Sequence, residues 1–532
     1  MSRLIRVLMI ALAASGSTLA AQRPGAARGT GPDARRCAAL ENLALLDLPD
    51  APTRILNARI VAVAAKGLAG LGSPGEVVPP IPTRLKQYCQ VTGYVAPQNK
   101  FELQLPLRSD WNQKFFFATC AGFCGSVDGA SCNPSLARGY ASVTTNGGHD
   151  SGQFFEGLWA ASAPGLQEDY AWRGTHVVTI AAKAITTHFY EQPIRYSYIA
   201  GCSKGGHAVL KEAQQFPDDY DGFLPIAPVY DIAGRMGIAA SWFAQAVSDG
   251  KGGSVLNRAA AEAVHKSVLA RCGAQAGVDE GMVTDPVACD WRPEVIACAP
   301  GGPASGCLTP RQVDAVTRLM RPPVNSKGEV LYAYPYVPGT ETEWFVWNHD
   351  IFANAPLADQ FLRFFADAAP RKNVDPYAFN FDRDPATLER ARTTYNATST
   401  DLRAVKERGG KILMWHGLSD AGMMATSSIG YYERVTKEMG GREGTEDFFR
   451  LFLLPGVHHC GGGPGLSDFD ALTLLERWVE KGEAPNVIIA RRVTKGVVER
   501  SRPVYPYPIK ARYSSGNPKR PESFVPVDPS RR

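Results

Sequence analysis

The chain lacks several features that would narrow its role at once. Beyond its first two dozen residues, no stretch approaches the ~18 unbroken apolar residues of a membrane-spanning helix. Neither sign of charge is in excess: 57 Lys and Arg against 52 Asp and Glu leave a formal +5 over 532 residues. The basic residues are scattered apart from a few at the two ends, so no nucleic-acid footprint is present. There are no internal repeats.

What is present describes a globular protein: 45% apolar and 10% aromatic residues. The length exceeds one compact core, so one large domain with an insertion, or two domains, is expected. The chain opens Met1-Ser2-Arg3-Leu4-Ile5-Arg6, then an apolar run from Val7 to Ala14 and small residues to Ala21. That run is too short to span a bilayer, and a cleavage site falls near Ala20 or Ala21. Residues 1–21 therefore read as an export signal, with an anchor or core helix as the competing reading. The mature chain is expected to be soluble, secreted or periplasmic, with no membrane partner. Eleven cysteines suit an oxidising compartment, and the odd count leaves at least one outside any internal pair.

Along the chain, residues 22–33 are rich in Gly, Ala, Pro and Arg and are expected to be loose. Phe115–Ala118, Tyr140–Thr145, Arg195–Ala200 and Gly222–Ala227 read as buried strands, and His176–Tyr190 as a helix. Strands alternating with helices imply a mostly parallel sheet covered on both faces. From about Val229 to Arg408 the rhythm changes. Four cysteines, many prolines and an aromatic cluster (Tyr332, Tyr334, Tyr336, Trp344, Phe345, Trp347, Phe352, Phe364 and Phe365) mark an inserted domain. The sheet pattern resumes at Lys411–Gly417 and Phe449–Pro455, followed by an amphipathic helix, Ala471–Lys481. The predicted organisation is a core of residues 22–228 and 409–532 interrupted by a lid, 229–408. The proline-rich, basic tail from Arg502 is expected to lie over the surface or fray.

The stretch Tyr198-Ile199-Ala200-Gly201-Cys202-Ser203-Lys204-Gly205-Gly206 runs from an apolar strand into a helix-capable segment ending at Phe216. Gly201-x-Ser203-x-Gly205 is the pattern of a nucleophile elbow, though alone it also fits an ordinary turn. A serine needs a base within reach and a carboxylate to orient that base. Asp420 lies just past the strand Lys411–Gly417, and His459 just past Phe449–Pro455. Ser, Asp and His in that order, each after a strand, is the arrangement of α/β-hydrolases. The bland alternatives are a surface turn aspartate and a satisfied loop histidine. Cys202 precedes the serine and Cys460 follows the histidine, so a bond between them would tie nucleophile to base. A competing His458/His459/Cys460 metal site lacks a second ligand cluster at suitable spacing.

Gly-Cys-Ser-x-Gly-Gly, Gly-Lys-Ile-Leu-x-x-His-Gly-x-x-Asp and Pro-Gly-x-x-His-Cys-Gly-Gly-Gly-Pro-Gly together resemble the tannase/feruloyl esterase family. Gln215–Gly222 and Phe381-Asp382-Arg383-Asp384 extend the resemblance, which runs from about Cys37 to Tyr513. It implies an α/β-hydrolase core with a lid, a Ser203–His459–Asp420 triad, and a Cys202–Cys460 bridge beside it. It also implies bridges Cys37–Cys89, Cys272–Cys289 and Cys298–Cys307. The chain departs from the family in three places. The lid calcium loop is degenerate: two carboxylate positions have become Gly273 and Ala276, leaving Glu280. A calcium site at Glu280, Val278 and Val283, with Asp279 or Asp285 as partial replacements, is expected to be weak or empty. A C-terminal family bridge is missing, with Tyr505 and Pro526 in its place, so a more mobile tail is expected. The loop implied to supply an oxyanion donor reads Thr119-Cys120-Ala121-Gly122-Phe123-Cys124-Gly125. Ala121 or Gly122 is the candidate donor, with the N–H of Lys204 as the other. A Cys124–Cys132 or a Cys120–Cys124 bridge would stiffen that loop.

The function implied is a secreted serine esterase for small-molecule or cell-wall esters of aromatic acids (feruloyl, galloyl or terephthaloyl), with no organic cofactor required. An aliphatic-ester or oligoester hydrolase and a non-catalytic binding module are the alternatives. The Lys204 side chain reads as a solvated helix-start lysine or a general cation for acidic substrates. The lid aromatics read as lid core or as a platform for the acyl ring.

Overall fold

The computed structural model describes residues 31–70, 80–161, 163–301, 305–349 and 353–531. The expected export signal, residues 1–21, and Phe352 lie outside the described residues. Of the stretch 22–33 expected to be loose, the described end begins a helix, Pro32–Ala39, whose Cys37 is buried and bonded to Cys89.

Nine strands form one sheet among the described residues: β1 (Thr53–Ala62), β2 (Gln87–Val95), β3 (Asn99–Pro106), β4 (Lys114–Ala118), β5 (Ala141–Thr145), β6 (Tyr196–Cys202), β7 (Gly222–Ile226), β8 (Lys411–Gly417) and β9 (Phe449–Leu454). Their order is β1-β2-β3-β5-β4-β6-β7-β8-β9. From β5 to β9 every neighbouring pair is parallel, and β1, β2 and β3 pair antiparallel at one edge. Hydrophobic pattern does not announce β1, because exposed Arg54, Asn57 and Arg59 break its apolar run.

The parallel strands are apolar on both sides because both sides are covered. Phe115 and Phe117 of β4, and Ile412 and Met414 of β8, pack with the helices Gly174–Tyr190, Lys204–Gln215 and Ala425–Glu438. The intervening Phe116, Ala118, Leu413 and Trp415 face the opposite way, onto Leu475 and Trp478 of the helix Ala471–Lys481. The two-residue period of the strand assigns alternate side chains to alternate layers. Every strand from β4 onward ends at one rim, where the loops carrying Thr119, Ser203 and Asp420 emerge.

Between β7 and β8 the chain contributes no strand to this sheet among the described residues; it forms helices and short turns. Their buried residues, among them Tyr332, Tyr336, Trp344, Trp347 and Phe365, share one apolar cluster with Phe123, Ala421 and Met423 of the rim loops and Tyr170 of the helical turn Asp169–Arg173. Most of the aromatic cluster singled out in the sequence is therefore core, and that core is continuous with the loops beneath it.

The tail corrects the expectation of a fraying or loosely draped end. β10 (Ile488–Thr494) pairs with β11 (Val497–Val504), and β12 (Lys510–Tyr513) with β13 (Phe524–Val527). Pro526, at a position of the missing bridge, is paired with Ala511 in that last ladder. Arg502 is buried, and Arg502 and Arg500 both reach the buried Glu280 carboxylate; Arg442 meets Asp528 at 2.7 Å. The Arg502–Glu280 pair is buried on both sides. Breaking a buried pair from one side strands its partner, which typically costs about 3–5 kcal/mol. Arg502→Ala is therefore expected to lower the urea midpoint by that order of stability, and an unchanged midpoint would remove this anchor.

Candidate active site

Ser203 sits between β6 and the helix Lys204–Gln215 with φ 63° and ψ −120°. The turn is so tight that a Cβ on Gly201 would stand 1.7 Å from Thr119 Oγ1, and one on Gly205 2.4 Å from the same atom. Cys124, Ala227 and Cys460 also have positive φ. Non-glycine residues held there cost of order 1–3 kcal/mol each and persist only where surrounding contacts impose them. Here the Ser203 N–H donates to Ile226 O at 3.0 Å, and its carbonyl accepts from His207 N at 3.0 Å.

Asp420 follows β8 and is fully buried. Its Oδ2 lies 2.7 Å from His459 Nδ1 and 2.9 Å from His416 Nε2, while Oδ1 accepts the N–H groups of Gly422 and Met423, each at 2.7 Å. Burial alone would push this carboxyl up. The His459 charge and the bonds from His416 and His459 hold it well below the usual carboxylate range. Because an ionised carboxylate only accepts, His459 Nδ1 must carry the proton, which leaves its Nε2 free as an acceptor. Burial pulls the His459 imidazole down, and the charge and hydrogen bond of Asp420 more than offset it, so its pKa lies above the ordinary value. His416, within the Gly-Lys-Ile-Leu-x-x-His-Gly-x-x-Asp motif, gains a role here. Its Nδ1 meets Ser428 Oγ at 2.8 Å, so the ring is fixed from both ends.

Cys202 and Cys460 are bonded, closing a separation of 258 residues. This leaves no thiolate for the His458/His459/Cys460 metal reading. His458 Nε2 is paired with Thr342 Oγ1 at 2.6 Å, and His459 Nδ1 with Asp420. The structure also contains Cys37–Cys89, Cys272–Cys289 and Cys298–Cys307, and decides the open pairing: Cys120 joins Cys124, and Cys132 is free and buried. Among the described residues Ser203 Oγ makes no hydrogen bond to His459. In substrate-free enzymes that link often closes only around the ligand.

The Cys120–Cys124 bridge cinches the loop that carries Ala121 and Gly122. Cys124 N donates to Ala121 O at 2.9 Å, and Tyr170 Oη donates to Gly122 O at 3.2 Å. These bonds use carbonyls; neither Ala121 nor Gly122 spends its N–H on the backbone among the described residues. The N–H of Lys204, first in its helix, likewise has no intrahelical acceptor. The Lys204 side chain overturns the reading of a solvated lysine. It is buried, its Nζ lies 4.5 Å from the Tyr170 ring centroid, and burial, then Lys211, brings its pKa down to about 7.

The residues assigned to a calcium loop do not fit that ion. Gly273 and Ala276 offer no side-chain oxygen, and the Glu280 carboxylate is already held by two guanidiniums. Val278 and Val283 offer only backbone carbonyls, Asp279 Oδ1 accepts the Gly281 N–H at 2.8 Å, and Asp285 is paired with Lys510. Calcium takes six to eight oxygens, several of them carboxylate; here tail cations occupy the carboxylates of Glu280 and Asp285 instead.

The family model described as tannase and feruloyl esterase matches residues 83–527. A mono(2-hydroxyethyl) terephthalate hydrolase of Piscinibacter sakaiensis is 32% identical over 508 residues, covering 81% of this chain and 83% of that protein. A probable feruloyl esterase B-2 of Aspergillus terreus is 29% identical over 446 residues, covering 79% and 82%. The crystal structure of an esterase from Aspergillus oryzae superposes with a TM-score of 0.81 at 25% identity, covering 93% of this chain and 99% of that one. With these relatives aligned along most of its length, the protein is a carboxylic ester hydrolase and belongs to the tannase and feruloyl esterase family.

Proposed function

We propose that this chain is an exported serine esterase for esters of aromatic acids, acting through Ser203, His459 and Asp420 and a covalent acyl-enzyme. The observation that carries the reading is the 2.7 Å Asp420–His459 contact, on a loop bonded through Cys460 to the residue before Ser203. In this reading His459 Nε2 takes the Ser203 proton as Oγ attacks the ester carbonyl. The oxyanion is met by the N–H of Lys204 and that of Ala121 or Gly122. His459 then returns the proton to the departing alcohol, and water, activated by the same imidazole, releases the acid and frees Ser203. The printed names of the relatives, terephthalate-ester and feruloyl esterases, support an aromatic acyl group. Five disulfides among the described residues support an oxidising compartment, and no helix described is long and apolar enough to cross a membrane.

Turnover of methyl ferulate, methyl gallate, mono(2-hydroxyethyl) terephthalate and p-nitrophenyl acetate by the wild type and by Ser203→Ala tests the reading. Turnover of an aromatic ester that disappears in the variant is expected. Equal rates in the two proteins would sink it, and activity confined to the acetate would favour an aliphatic-ester hydrolase.

Asp420→Asn keeps the shape but lets His459 adopt the wrong tautomer, and is expected to lower kcat by about 10⁴-fold. Since the base must be neutral and its pKa is raised, kcat/KM is expected to fall with decreasing pH about a midpoint above the ordinary imidazole value of about 6.5. A midpoint below that value would contradict the Asp420–His459 pairing. Cys202→Ala/Cys460→Ala frees the base loop from the elbow. Activity and up to about 5 kcal/mol of stability are expected to be lost, and full activity in this double variant would remove the role given to the bridge.

A further inference from the structure

One buried acid lies between the inserted segment and the rim and has no part in the chemistry above. Glu343 ends the short turn Glu341–Glu343, between β7 and β8 in sequence. Its Oε2 accepts the Ala421 N–H at 2.7 Å and its Oε1 the His459 N–H at 3.1 Å. A single carboxylate thus spans the residue after Asp420 and the backbone of His459 itself. The surrounding contacts repeat the pattern. Thr342 is bonded to His458, and the Trp347 ring stands edge-on to the His459 ring at 5.6 Å. Glu341 accepts the Gly339 N–H at 2.7 Å and reaches His265 at 3.1 Å, fastening the turn to the helix Arg258–Cys272. Arg235 donates to Gly422 O at 2.6 Å and to Asn354 at 3.0 Å, so a second side chain from outside the core holds the same loop.

We propose that Glu343 is a positioning residue of the esterase site: its ionised carboxylate sets the spacing of the Asp420 and His459 loops and stabilises the imidazolium that forms on His459. This rests on the assignment of His459 as base. The chemistry suits the task. Two backbone N–H groups aimed at one carboxylate give charge-assisted bonds in a dry setting, where their direction is well defined. The groups facing Glu343 are Asp420, His459 and Tyr336, with Arg235, His416 and His458 grouped around Asp420 and His459. Burial, then the Asp420 charge, raises the Glu343 carboxyl to about 7, while His459 and the two N–H bonds favour its ionised form. Glu343 and His459 therefore titrate as linked groups. A negative Glu343 holds the His459 proton more tightly, so neutralising it lets that proton leave at lower pH.

Glu343→Gln and Glu343→Asp separate charge from reach. Glutamine has one acceptor for two N–H groups and no charge. Aspartate keeps the charge but is too short to span both loops. Activity on p-nitrophenyl acetate is measured across pH, and all nine histidines are followed by NMR after 13C labelling at Cε1, with His459→Gln supplying the assignment. For Glu343→Gln the expected result is kcat lower by about 10- to 100-fold at little change in KM, with the His459 titration and the acid limb both moved to lower pH. For Glu343→Asp, kcat is expected to fall with the His459 titration close to wild type. A purely packing role would lower thermal stability and leave the His459 titration in place, and that result overturns the proposal. If Glu343→Gln does not fold, unchanged kcat in Glu343→Asp overturns it instead. The NMR titration does not depend on turnover. If wild type and Ser203→Ala hydrolyse the esters equally, the esterase reading falls and this proposal with it, whereas a missing His459 shift in an active enzyme overturns the proposal alone.

Discussion

An ionised carboxylate without access to water is tolerated only when its lone pairs are met. Asp420 receives two imidazole nitrogens and two backbone N–H groups. Satisfying it requires β8 to end where it does, the following loop to fold back on itself, and the loop after β9 to arrive with His459 turned inward. The rim geometry can thus be read as the set of conditions under which that charge stays buried. The same charge fixes the His459 tautomer and raises its basicity, so one contact meets both the requirement for stability and the requirement that the proposed mechanism places on its base.

Two kinds of attachment keep these loops from drifting. Cys202–Cys460 joins the His459 loop to the elbow covalently, and Cys120–Cys124 tightens the facing loop. The inserted segment then presses on the rim from above through Thr342, Glu343 and Trp347, with an apolar core shared across the junction. Because that core runs through both, a disturbance among the aromatics around Trp344 and Phe365 reaches the residues next to Asp420 without crossing solvent. These aromatics are core before anything else.

At the far side of the inserted segment, cations of the chain's own tail occupy a place where the resemblance implied a metal. Arg500 and Arg502 hold Glu280, and Lys510 holds Asp285. A guanidinium is permanently charged and brings its own donors, so this arrangement does not wait on an external ion. It also explains why the tail is folded rather than loose: its buried arginine has a buried acid to meet.

The sequence by itself determined the parallel strands β4 to β9, three of their four covering helices (all but Ala425–Glu438) and the elbow, because buried parallel strands are written as short apolar runs and a turn with no room for side chains is written in glycine. It also marked Ser203, Asp420 and His459, since each follows a strand in an order that few arrangements share. It did not determine the edge strands β1 to β3, whose exposed faces dilute the apolar pattern, nor the fold of the tail, whose prolines and arginines read as loop until Glu280 is brought beside them. The Cys120–Cys124 choice, the burial of Lys204, the second imidazole on Asp420 and the reach of Glu343 were decided only in three dimensions. Each depends on a distance between groups far apart along the chain or on which side of a turn a side chain falls, and neither is carried by the order of residues.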